Sequence, residues 1–234
     1  RIGVPETYFY DPVMPEVAAR VRASLDVFVA LGAEIVPVHL PPFIADANAL
    51  NVLITAVEGA AFHARWLRER RDDYGAQTLS RLLPGLLQPA TRYIEALNLR
   101  TAMLAALTES VFAVADVLHT PVWPIPVPTI AESDLVTNPE FMDLITASGH
   151  CVRPFNFTGL PAIVVPAGMT ENGLPTAFQL VARPFDEAGL LRAAAAYERE
   201  TGCTAAAPPL ESLAPACENT AAYETRETRE APIP

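Results

Sequence analysis

Two short runs of β-branched and aromatic residues, AIVVP at 162–166 and AFQLVAR at 177–183, form the clearest pattern in the chain, because turn chemistry brackets both. Gly159, Leu160 and Pro161 open the first, and Pro166 and Gly168 close it. Glu171, Asn172 and Gly173 make a turn before Leu174 and Pro175 lead into the second. Such runs suit a pleated, buried surface, so the segment predicts a β-hairpin or a pair of neighbouring strands. From Glu187 the apolar period lengthens to that of an amphipathic helix, which the sequence ends at Gly202.

The remaining elements follow from the same alternation. RIGVPE at 1–6 predicts a first strand. Val17, Val21, Leu25, Phe28 and Leu31 then recur at helical spacing over 15–31, with Pro15 at a permitted first-turn position and Gly32 as a stop. EIVPVHL at 34–40 is a second strand, and strand, helix and strand with short connections read as a right-handed βαβ unit with parallel strands. Helices are predicted over 46–70, 77–88, 89–115 and 139–147, and a strand over 117–122. Pro121, Pro124, Pro126 and Pro128 force an extended loop, expected to skirt a cleft. The fold class is α/β. Residues 1–202 are expected to form the folded part, and 203–234, rich in Ala, Pro, Thr and Glu and carrying ETRETRE, a low-complexity, disordered tail.

Composition narrows the classes of function. With 234 residues and 51% hydrophobic content the chain can bury a substantial core. Arg100, Glu109 and Asp116 interrupt its longest apolar stretch, which argues for a helix with one buried face and against a membrane span. A formal net charge of −11 argues against a nucleic-acid or anionic-membrane partner. Cys151, Cys203 and Cys217 have neither Cys-x-x-Cys spacing nor an even count, so free thiols in a reducing, cytoplasmic compartment are expected. All 16 basic residues are arginine, and without lysine the chain offers neither a Schiff base nor a lysine general base. The chain opens on Arg1 inside a strand-like run, which leads to the expectation that its natural N-terminus lies further upstream.

The ordered string from 155 to 187, FNFTGLPAIVVPAGMTENGLPTAFQLVARPFDE, resembles the C-terminal signature of the amidase signature family, roughly N-x-T-G-L-P-A-x-x-x-P-x-G followed by G-L-P-x-G-x-Q-L-x-G-R-P-F-x-E. Asn156, Thr158, Gly159, Leu160, Pro161, Pro166, Gly168, Gly173, Leu174, Pro175, Gln179, Arg183, Pro184, Phe185 and Glu187 occupy matching places. Ala177 and Ala182 replace two glycines of the pattern, which bears on close backbone packing. EGAAFH, DDYG, RYIEALNLR and DVLHTPVWP are similar to further landmarks of that half.

The resemblance implies the C-terminal half of the amidase signature fold, a mixed β-sheet core flanked by helices. It also implies hydrolysis of a carboxamide C–N bond through a Ser, cis-Ser, Lys arrangement carried by the other half. That machinery is not in this sequence, so no catalytic residue is assigned and the chain is expected to be inactive alone. A small-molecule amide is the implied substrate once the N-terminal half completes the site. The alternative is a non-catalytic binding or assembly subunit that keeps the scaffold. Tyr93 and Arg153 are the residues that the resemblance nominates for holding substrate; an arginine there suits a carboxylate-bearing amide. No cofactor and no metal are expected, and the missing half should leave a sheet edge open to self-association. His150 beside Cys151 offers a remote Cys-His pairing, which sequence neighbours rarely achieve.

Overall fold

A computed structural model describes residues 1–125, 127–134 and 138–205, and its centre is a five-stranded mixed sheet. β1 (Ile2–Pro5), α1 (Pro15–Ala30) and β2 (Ile35–Val38) form the expected βαβ unit, with β1 and β2 parallel and Ile2 opposite Ile35. α1 begins with Pro15 in its first turn, where the missing N–H costs nothing, and buries Val17, Val21 and Phe28. The chain then leaves the sheet through α2 (Asp46–Phe62), α3 (Ala64–Glu69), α4 (Ala76–Leu82), a 3-10 segment (Leu83–Leu87) and α5 (Ala90–Ser110). It returns as β3 (Val117–Pro121), parallel to β1 on the side away from β2.

α6 (Phe141–Ser148) and α7 (Arg153–Thr158) precede the hairpin of β4 (Ala162–Met169) and β5 (Pro175–Ala182). β5 pairs antiparallel with both β3 and β4, giving the order β2-β1-β3-β5-β4. The β4–β5 register shifts between Pro166 and Gly168, and Gly168 takes a φ of 112°, a bulge that only glycine enters freely. Ala177 and Ala182, the two departures from glycine, sit within the ladder opposite Pro166 and Val117, and Ala182 is fully buried. α8 (Glu187–Thr201) starts on an Asp186 cap to the Gly189 N–H and ends on Gly202 in the left-handed region, as the sequence predicts.

Side chains of the central strands alternate between two faces. On one face His119 meets Ser24 of α1, and Phe178 packs edge-on against Phe28 of α1 and Tyr197 of α8. Full burial of each such apolar side chain contributes about 1.5–3 kcal/mol. His119 is fully buried and completely bonded. The Ser24 hydroxyl donates to Val21 O at 2.7 Å, so it accepts from His119 Nε2–H at 2.8 Å, and the Tyr10 hydroxyl donates to Nδ1 at 3.0 Å. Burial lowers the imidazole pKa to about 3 and keeps it neutral. This is a satisfied core network. Its serine proton is directed at a carbonyl and is not available to a base.

The structure departs from the sequence expectation at two places. The helix expected over 46–70 breaks at His63, whose Nδ1 meets the Tyr74 hydroxyl at 2.8 Å and whose ring packs on Trp66. α7 (Arg153–Thr158) falls where the sequence pattern predicts no element. One compact unit runs Arg1–Cys203. The expected tail lies, from residue 206 onward, outside the described residues.

Candidate functional site

β2 lies on one side of β1, and the chain reaches β3 on the other side through α2 to α5. β1 and β3 therefore flank a switch in strand order, the place where open α/β sheets bind ligands beyond their carboxyl ends. Tyr8, Phe9 and Tyr10 follow β1 at this point. Tyr8 adopts a φ of 69°, which costs a non-glycine residue on the order of 1–3 kcal/mol and is maintained only where contacts over-determine it. Those contacts are present. The Tyr8 N–H donates to Asp11 Oδ2 at 2.7 Å, and His150 Nε2 donates to Tyr8 O at 3.0 Å. The Tyr8 ring stacks on His150 at 4.1 Å between centroids, and Asn48 Nδ2 donates to Tyr8 Oη at 2.6 Å. Burial raises the Tyr8 pKa to about 12, so its hydroxyl stays protonated.

Gln179 holds the other side of this cluster. Its side chain, 2% exposed, donates from Nε2 to Pro121 O at the end of β3 (3.1 Å) and to Cys151 O (2.9 Å). A signature glutamine thus fastens the 149–152 segment onto the sheet. Arg153 opens α7 from that segment, and its Nη2 and Nη1 donate to Ile145 O (2.8 Å) and Thr146 O (3.1 Å) at the end of α6. Pro154 in the first turn and Gly159 at a φ of 73° bound α7, and Thr158 donates to Pro154 O.

No hydrogen bond joins the two residues nominated by resemblance, Tyr93 on α5 and Arg153 on α7. Tyr93 donates its hydroxyl to Glu58 Oε1 of α2 at 2.9 Å, and that bond raises its pKa. Arg153 lies beside Tyr8 and acts on carbonyls. Arg100, on α5 two turns beyond Tyr93, is marked by the sequence only as a break in an apolar stretch. Its guanidinium lies 5.8 Å from the Phe157 ring centroid, and its buried Nε has no hydrogen-bond partner among the described residues. Asn48, on which Tyr8 depends, is equally unmarked, because a lone asparagine in an alanine-rich helix carries no sequence signal.

His150 and Cys151 do not form a dyad. His150 is engaged with Tyr8, whereas Cys151 is fully buried, its Sγ faces Phe9 O at 3.8 Å, and burial pushes its thiol up to about 12. Among the described residues no group of three or more His, Cys, Asp or Glu could hold a metal ion, and no helix is long and apolar enough to cross a membrane. The proline-rich loop does border a hollow. Val122, Trp123, Ile125 and Val127 join Val17, Thr170 and Leu174 around about 110 Å³, and Pro126 lies outside the described residues. A larger open groove of about 530 Å³ runs along α5 past Ile94 and Leu99, and none of the Tyr8 cluster lines it.

A mixed sheet in which β1 and β3 flank a reversal of strand order, with polar groups converging there, defines an α/β protein with a candidate site beyond the ends of those strands. The chain belongs to the amidase family, whose profile matches residues 1–191. It is 38% identical over 203 residues to an amidase of Pseudomonas putida, covering 86% of this chain and 43% of that protein. It is 36% identical over 226 residues to a glutamyl-tRNA(Gln) amidotransferase component of Myxococcus xanthus, covering 86% of this chain and 45% of the relative. A solved chain from a vestigial protein complex tied to the origins of an s-triazine catabolic enzyme superposes with a TM-score of 0.71 at 29% identity, over 87% of this chain and 43% of that one. The chain spans a little under half the length of these relatives.

Proposed function

We propose that this chain is the C-terminal portion of an amidase that hydrolyses a carboxamide C–N bond, and that the catalytic Ser, cis-Ser and Lys come from residues outside it. The absence of any lysine carries this reading, because the sequence holds no lysine to supply the base. The coverage of under half of each relative supports it. In this reading the chain provides a wall of the substrate site at Tyr8, Arg153 and Arg100, with Gln179 fastening the 149–152 segment and Tyr93 braced by Glu58 behind it. Purified alone, it is expected to show no amide turnover above a heat-killed control. Turnover by the isolated chain would overturn the placement of the catalytic groups elsewhere. A non-catalytic assembly role is the second reading, favoured by the same missing lysine. Expression with a catalytic half from a relative separates the two: a completed enzyme hydrolyses amide, whereas an assembly protein contributes no turnover.

The open side of the sheet also supports association. β4 is an outer strand without charged residues, and Val164, on the face shared with Gln179, is 55% exposed. An apolar edge strand of this kind is a template for pairing with another chain. Sedimentation of the isolated chain is expected to reveal oligomers that Val164→Lys shifts toward monomer; a wild-type monomer at all concentrations would contradict this.

A further inference from the structure

Tyr8 stands just after β1, at the reversal of strand order, inside a three-residue turn. The Phe9 N–H donates to Thr7 O at 2.9 Å across Tyr8, whose φ of 69° makes this the rare, strained form of the γ-turn. Its neighbours hold the strain in place. Phe9 is fully buried and stacks on Phe155 of α7 at 5.2 Å between centroids, while the Tyr10 hydroxyl bonds the buried His119 at 3.0 Å. Tyr8 itself is only half-buried. A backbone outlier pinned on both sides, carrying a side chain that still reaches the surface, is strain of the kind found at ligand clamps and active sites. The hydroxyl is also directed. Asn48 Nδ2 donates to Tyr8 Oη at 2.6 Å, so the Tyr8 proton must find its acceptor elsewhere. Among the described residues that proton reaches only His150 O, at 3.4 Å, beyond the roughly 2.5–3.0 Å of a sound O–H···O bond. Donation from Asn48 polarises the O–H bond and strengthens it as a donor. The stack on His150 fixes the ring that carries it.

We propose that the Tyr8 hydroxyl donates a hydrogen bond to the carbonyl oxygen of a bound carboxamide, and that Asn48 is the positioning residue that keeps this hydroxyl a donor. The proposal rests on the amidase reading for the identity of the ligand. No proton is transferred in this contact, because burial holds the Tyr8 pKa up at about 12. The strained turn presents the donor without a conformational search, so binding loses little entropy in ordering it.

The test is titration of the full chain with benzamide and with thiobenzamide, whose sulfur is a poor acceptor, followed through the Tyr8 and His150 ring resonances. Benzamide is expected to shift both. Tyr8→Phe keeps the ring, its stack and the turn but deletes the donor, so it should weaken benzamide by about three- to tenfold and leave thiobenzamide nearly unchanged. Asn48→Asp supplies a carboxylate that accepts the Tyr8 proton, and it should produce the same selective loss although the hydroxyl remains. Equal affinity of wild type and Tyr8→Phe for benzamide, equal losses for the two ligands, or no binding of benzamide would overturn the proposal. Complementation with a catalytic half separates this from the amidase reading. Turnover that Tyr8→Phe leaves unchanged would sink the Tyr8 contact alone, whereas benzamide held through Tyr8 by a complemented protein that hydrolyses nothing would sink the amidase reading alone.

Discussion

Gly85→Ala is expected to lower stability by about 3 kcal/mol, at the upper end of what overpacking costs. A Cβ on Gly85 would stand 2.0 Å from Ala56 O and 2.4 Å from Ala56 C, and those are backbone atoms that no rotamer change can move. The 3-10 segment Leu83–Leu87 presses against α2 at this point, so accommodation requires the whole connection, α4 included, to lift. Contrast Gly59, where an added Cβ would meet only the end of the Leu82 side chain. Urea melts of Gly85→Ala and Gly59→Ala check the argument, and equal losses would sink it.

Gln179→Leu is expected to cost about 2–4 kcal/mol despite keeping the volume and the strand. Two buried carbonyls, Pro121 O and Cys151 O, lose their donor, and each unpaired acceptor costs about 1–3 kcal/mol. The damage should also reach the site. Cys151 leads directly into Arg153, so release of the 149–152 segment loosens both the Tyr8–His150 stack and the Arg153 fork. Denaturant melts together with His150 ring resonances report the two effects separately. A variant that melts like wild type, with unchanged His150 signals, would show that the glutamine is dispensable.

Much of the scaffold is legible in the sequence because its elements obey simple periods. The βαβ unit, the 162–182 hairpin and α8 with its Gly202 cap each announce themselves by apolar spacing and by turn residues at fixed offsets. α7 is not legible: its six residues, RPFNFT, are too few to show a helical period. The position of β3 between β1 and β5 is a long-range fact that no local window contains. At the site, resemblance nominates Arg153 and Tyr93, but what each touches depends on α6 and α2, which no short window around either residue contains. Asn48 and Arg100 carry no spacing signal, since their meaning comes from what surrounds them after folding.

The bulge at Pro166 and Gly168 sets a limit on anything that pairs with the outer strand. Regular ladder is available only along 162–165, a reach of roughly 13 Å at about 3.4 Å per residue. Proline then withholds a donor and the strand twists away. A neighbouring strand can grip this edge for about two side chains per face, so lasting adhesion must come from packing over Val164 and its face. The same brevity denies the edge the long flat run on which open-ended fibrillar stacking feeds.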